Sequence, residues 1–172
     1  MKLLEEIKDQ EFPKDKSKLK IREASRAILF DKNNLIPLLF VRKYNYHKLP
    51  GGGIDKKESR LRALVRECFE EVGSKVKANG EIGKIIEFRS KWNLKQTSYC
   101  YYGEIIYKGE PNFTQKELDQ GFEIVWLSMK NAIAKIKNDK PKNYEGSFIQ
   151  KRDLKFLEKT ENLLSSRNSS NW

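Results

Sequence analysis

Three carboxylates crowd the stretch RECFEEVGS, Arg66 to Ser74: Glu67, Glu70 and Glu71. On a helix, at about 100° per residue, they fall within an arc of roughly 100° and share one face. Like charges three and four residues apart destabilise an isolated helix by some tenths of a kcal/mol per pair, so a purely structural helix gains little from them. A divalent cation reverses that sign. Hard cations such as Mg2+ prefer carboxylate oxygens and water, use few protein carboxylates, and let substrate phosphates complete the shell. The plain alternative is a solvated helix face with Arg66 and Glu70 paired at i,i+4.

The element carrying the triad is a helix from Glu58 to Val72. Its apolar residues Leu61, Leu64, Val65, Cys68 and Val72 recur at helical spacing and read as one buried stripe. Asp55 and Ser59 are candidate N-caps, and Gly73 is a C-terminal stop. Upstream, YNYHKLPGGGID breaks regular structure, and Gly51, Gly52 and Gly53 permit positive φ and close backbone approach. Before that loop, ASRAILF and LIPLLFVRKY flank the turn-forming DKNN and read as a hairpin of partly buried strands. After the helix, GEIGKIIEFRSKW, LKQTSYCYYGEIIYKG and GFEIVWLS read as three further strands, with the polar loop GEPNFTQKELDQ before the last. MKNAIAKIKN and FIQKRDLKFLEKTENLL read as closing helices. The order of strands, helix, strands and helices predicts an α/β (α+β) fold with a mixed sheet between helices.

At 172 residues the chain suits one domain at 21–165, preceded by an arm or short helix at 1–20 and followed by a polar tail at 166–172. Lys and Arg number 35 against 24 Asp and Glu, a formal charge of +11 that favours anionic partners such as nucleotides, phosphorylated metabolites or RNA, unless it only solubilises the surface. Cys68 and Cys100 lie far apart, and the single His47 has no thiol near it in sequence, which argues against disulfide and zinc frameworks. No stretch approaches the roughly 18 apolar residues of a membrane span, so the expectation is a soluble, cytoplasmic protein without a membrane partner.

Read backward from the triad, Gly52, Glu58, Arg66 and Glu67 stand at fixed spacing. Here the chain resembles the Nudix hydrolase family, whose box is G-x5-E-x7-R-E-U-x-E-E-x-G-U with U a bulky apolar residue. In this sequence it is GGIDKKESRLRALVRECFEEVGS, Gly52 to Ser74, preceded by the LPGG also typical of the family. Cys68 replaces a usual apolar residue, a mild departure. Ser74 stands where an aliphatic residue is common, which puts local packing in question.

The resemblance implies a Nudix-type mixed β-sheet sandwiched between α-helices. It implies that Glu67, Glu70 and Glu71 bind Mg2+, with Mn2+ able to substitute, and that Arg66 orients them. Glu58 then either supports these ligands or binds an additional metal. The implied chemistry is water attack on a nucleoside diphosphate linked to a group X, with Glu70, Glu71 or Glu117 as the general base. The glycines at 51–53 would bring backbone amides to the substrate. Candidate substrate contacts are Tyr44, Tyr46 and His47 before the loop, and Arg89, Trp92, Gln96 and Tyr99 on the middle strands; packing roles are equally open to the aromatics, and His47 is better read as packed at a strand end. The chain also looks like MutT-like bacterial members, which implies a nucleoside triphosphate or oxidised dGTP as substrate. RNA 5′-pyrophosphate or cap removal, which the charge would suit, and ADP-ribose hydrolysis are the alternatives. A non-catalytic nucleotide-sensing module ranks last because every box carboxylate is retained. Homodimerisation is a further implication of the resemblance.

Overall fold

The computed structural model describes residues 1–9 and 18–169, without the side chains of 167–169. Seven strands and four helices follow in the order β1 (Leu3–Lys8), β2 (Lys20–Phe30), β3 (Ile36–Val41), β4 (Tyr46–Lys48), α1 (Arg60–Val72), β5 (Ser74–Arg89), β6 (Leu94–Lys108), α2 (Gln115–Asp119), β7 (Phe122–Leu127), α3 (Met129–Asn138) and α4 (Tyr144–Ser169). They form two sheets, one of order β1-β5-β6-β2 and one of order β4-β3-β7. The larger is mixed, with β1 parallel to β5, β2 parallel to β6, and β5 antiparallel to β6. The architecture is the mixed α+β fold that the sequence implies.

Period-two alternation divides the large sheet between two partners. Ile28 and Cys100 join Ile36, Leu38, Leu49 and Ile85 in a core closed by Ala132 and Ile136 of α3 and by Phe148, Phe156 and Leu157 of α4. On the opposite face, Ala27, Leu29, Tyr99 and Tyr101 meet Leu64 and Cys68 of α1. Helix α1 therefore lies against one side of the sheet, and α3 and α4 against the other.

Three expectations are corrected. ASRAILF and LIPLLFVRKY do not pair as a hairpin. The Asp31 carboxylate does organise the turn by accepting from Asn33 and Leu35 N–H, at 2.8 and 2.9 Å. However, β2 pairs along its length with β6, while β3 pairs with β4 and β7 in the other sheet. In the 1–20 arm, residues 3–8 form a strand rather than a helix, because the free edge of β5 offers them a ladder; residues 10–17 lie outside the described residues. Likewise α4 runs on to Ser169 through part of the expected tail, and 170–172 lie outside the described residues.

The α1 stripe is also displaced. Ala63, Leu64, Cys68, Glu71 and Val72 are buried, whereas Leu61, Val65 and Phe69 are exposed along the outer side of the helix. The face packed on the sheet thus contains one of the three carboxylates.

Candidate active site

The segment before α1 is laid against β2 by backbone bonds. Ala27 N–H donates to Pro50 O, Ser25 N–H to Gly52 O, and Ile54 N–H to Glu23 O, each at 3.0 Å. Gly51 is obligatory here: its φ is +125°, and a Cβ would stand 2.1 Å from Ser25 O. Gly52 faces the helix instead, where a Cβ would fall 2.3 Å from the Glu67 carboxylate. Ser59 caps α1 by accepting from Arg62 N–H at 3.3 Å, and Gly73 ends it in the left-handed region. Ser25 Oγ donates to Arg60 O at 2.8 Å, fixing the helix start to β2.

Arg66 gathers the carboxylates. It donates through Nε and Nη2 to the two oxygens of Glu58 (3.0 and 2.9 Å), and through Nη1 to Glu67 (2.8 Å) and Glu70 (3.3 Å). Nη2 also reaches Gly53 O at 3.0 Å. Bonding to Glu58 and Glu67 holds the guanidinium proton more tightly than usual against the opposing effect of burial, and the Arg66 bond holds Glu58 below its ordinary pKa. Glu71 sits apart, buried, with Oε1 accepting from Lys48 Nζ at 2.5 Å and Oε2 from Gly51 N–H at 2.7 Å. Burial raises its pKa, and Lys48 opposes the rise only in part.

Of these groups Lys48, Glu67 and Glu71 border a cleft of about 260 Å³, lined also by Arg22, Arg26, Tyr46, Gly51 and Gly52, with Glu117 and Glu145 as its other acids. Glu58 and Arg66 line a separate groove beside Leu61, Val65 and Phe69. Tyr46, Gly51, Gly52 and Glu117 therefore come together with Glu67 and Glu71. Glu117 is already engaged, since its Oε2 accepts from Thr114 N–H and Oγ1 at 2.7 and 2.8 Å in the capping box of α2. Gly53 borders a separate groove.

Arg89 is not brought to the cleft. It is buried, donates to Glu87 (2.8 Å) and Glu145 (3.2 Å), and lies over the rings of Trp92 and Phe148. Gln96 belongs to the same buried network, donating to Glu87 at 2.9 Å. His47 packs as a strand-end residue, with its backbone N–H and Nδ1 on Asp139 and its ring stacked on Phe40. Tyr99 donates to Glu23 and lies under Arg60.

The reading of the sequence missed Arg22, Arg26, Lys48 and Asp153. Asp153 accepts from Leu49 N–H at 2.9 Å and so ties α4 to the glycine loop. The available signal was a charge at an inward position of an otherwise apolar strand, as at Arg26 in ASRAILF.

A family model described as NUDIX domain matches residues 20–147. The chain belongs to the Nudix family. This makes it a pyrophosphohydrolase of a family that acts on nucleotide derivatives and generally uses divalent metal ions. No curated protein matches the sequence. Among solved structures, the ORF135 protein of E. coli superposes with a TM-score of 0.60 at 18% identity, covering 87% of this chain and 94% of that one. A Nudix hydrolase from Nitrosomonas europaea gives 0.63 at 14%, over 83% and 90%. An ADP-ribose pyrophosphatase from Streptococcus suis gives 0.51 at 21%, over 81% and 91%. At such identities the likeness is one of fold.

Among the described residues, no three His, Cys, Asp or Glu side chains form a ready cage for a metal ion. The donor chemistry of this Nudix site nevertheless fits Mg2+. It offers hard carboxylate oxygens beside a polar cleft of about 260 Å³, where one or two carboxylates suffice once substrate oxygens and water complete the shell. No described helix is long and apolar enough to cross a membrane.

Proposed function

We propose that this Nudix protein hydrolyses a nucleoside diphosphate linked to X, with a nucleoside triphosphate or an oxidised deoxynucleoside triphosphate as the leading substrate class. The observation that carries the reading is the clustering of Glu58, Glu67 and Glu70 about one guanidinium, beside a polar cleft that Glu67 and Glu71 also line. Glu67, Glu70 and Glu71 would hold Mg2+ or Mn2+, which supplies an acidified water and neutralises charge on the pyrophosphate. Arg66 keeps Glu67 and Glu70 in register for that role, and Lys48 and Gly51 N–H fix Glu71. Gly51 and Gly52 line the cleft, so the glycine loop would border the bound phosphates. The proton of the attacking water passes to a carboxylate, for which the half-exposed Glu70 is the first candidate, because Oε2 of Glu117 already serves α2 and both oxygens of Glu71 are taken by Lys48 and Gly51.

The net charge of +11 suits an RNA 5′ end. Within the cleft, however, Arg22, Arg26, Lys48 and Lys116 are met by Glu67, Glu71, Glu117 and Glu145, so the excess is not focused there, and a small substrate ranks first. Purified protein with Mg2+ should release phosphate or pyrophosphate from one member of a panel of deoxynucleoside triphosphates, oxidised dGTP, ADP-ribose, dinucleoside polyphosphates and 5′-triphosphate RNA. Glu70→Gln and Glu71→Gln should each lose about 10²–10⁴ in rate, while Glu117→Gln keeps most of it. Wild-type turnover by both box variants would remove the assignment.

A further inference from the structure

Arg26 lies on β2 and is only 4% exposed. Its Nε and Nη1 are sealed from solvent and have no hydrogen-bond partner. The neighbouring carboxylates do not supply one. Asp153 of α4 is taken by Leu49 N–H at 2.9 Å and Arg152 Nε at 2.7 Å, and Glu71 of α1 by Lys48 and Gly51. Arg152 and Arg22 add like charge, and the fields of Asp153 and Glu71 offset burial and like charge together only in part. Burial, aided by Arg152, pulls the Arg26 pKa down to about 10, which leaves it a cation at neutral pH. A buried cation without a partner is unfavourable, and folds retain one where a counter-charge completes it. Arg26 lines the cleft beside Arg22, Lys48, Gly51 and Gly52, the side from which such a counter-charge would meet it.

We propose that Arg26 binds a phosphoryl group of the substrate in this cleft, using N–H donors that no protein group takes up. The inference rests on the reading of the cleft as a phosphate-anhydride site, and adds to it a residue from outside the glycine loop and α1. Guanidinium donors match the oxygens of a phosphoryl group in geometry and charge, whereas a neutral base or sugar in the same place would leave the cation unpaired.

The test compares the full-length protein with its Arg26→Met and Arg26→Lys variants. Inorganic phosphate and inorganic pyrophosphate are titrated calorimetrically without metal, and kcat, KM, Mn2+ affinity and Tm are measured alongside. Arg26→Met should weaken pyrophosphate binding by about 10- to 150-fold, the worth of one charge-assisted hydrogen bond, and raise KM comparably. Mn2+ affinity should not change. Tm should hold or rise, because an unpaired buried cation has been replaced by an apolar side chain of similar volume. Arg26→Lys should recover part of the binding.

Unchanged pyrophosphate binding with a lowered Tm would make Arg26 structural and overturn the proposal. Loss of inorganic phosphate binding with a wild-type KM would also overturn it, by assigning Arg26 to free phosphate instead of substrate. If the wild type hydrolysed nothing in the nucleotide panel, the functional reading would fail, while the pyrophosphate titration would still decide Arg26.

Discussion

Arg66→Lys tests how the site is assembled, because it keeps the charge and removes the geometry. The guanidinium makes five hydrogen bonds, two to Glu58 and one each to Glu67, Glu70 and Gly53 O. An ammonium is a point donor and cannot span the two oxygens of Glu58 while also reaching Glu67. Two or three bonds are therefore lost. Charge-assisted bonds contribute about 1.5–3 kcal/mol each when buried. Arg66 is 32% exposed, so solvent screening cuts this to about 0.5 kcal/mol per bond, and the expected loss of stability is about 1–1.5 kcal/mol. The larger effect falls on Glu67 and Glu70, which are no longer held in place. Losing an orienting partner commonly weakens metal binding by about 10–100-fold. Titration with Mn2+, followed by electron paramagnetic resonance, should show that loss, and the Mg2+ concentration for half-maximal turnover should rise in parallel. Mn2+ affinity within about twofold of wild type would refute the view that Arg66 organises the carboxylates.

Gly52→Ala should lower activity while leaving the fold intact, because its Cβ would strike the flexible end of Glu67 rather than backbone; turnover and circular dichroism check it. Glu87→Gln leaves Arg89 and Arg152 short of a buried counter-charge, and should cost about 3–5 kcal/mol, read as a fall in Tm or in the denaturant midpoint. The same variant carries a pH signature. Burial raises the Glu87 pKa, but Arg152 and Arg89 outweigh it and the net shift is downward. The stability that Glu87 contributes is thus present above the unfolded carboxylate pKa of about 4.3 and lost as pH falls through the lower folded value. The gap in Tm between wild type and Glu87→Gln should therefore narrow in strong acid, and a gap independent of pH would contradict the ion-pair account.

Local chemistry was legible wherever it was written locally. Ser59 and Gly73 bound α1 as cap and stop, and MKNAIAKIKN is α3 residue for residue. The family followed from the resemblance carried by the spacing of Gly52, Glu58, Arg66 and the three glutamates, all of which stand within one loop and one helix. What stayed hidden depends on distant partners. β1 buries only Ile7 and exists because β5 offers an edge, so its own Lys and Glu pattern carries no strand signal. The DKNN turn is real, but the backbone groups of β2 are claimed by β6 and by the glycine loop, which sends β3 to another sheet. Arg89 looked available for a ligand because its partner Glu87, two residues earlier on the same face of β5, reads as one more charge on a strand.

The closing helix shows why a family motif alone does not complete such a site. The matched domain ends at residue 147, one turn into α4, yet Arg152 and Asp153 lie beyond it. Asp153 spans 104 residues to hold Leu49 N–H, immediately before Pro50 and the glycine loop, and Arg152 reaches the buried Glu87 at 3.4 Å. Phe148, Phe156 and Leu157 seal the same interface with apolar surface. The cleft is thus bounded by α1 on one side of the large sheet and braced from the other by α4. Because Asp153 of α4 is already engaged in that bracing, Arg26 at the cleft wall is left without a hydrogen-bonded counter-charge. The ionic network that steadies the loop is, on this view, also what leaves a cation for the substrate's phosphate.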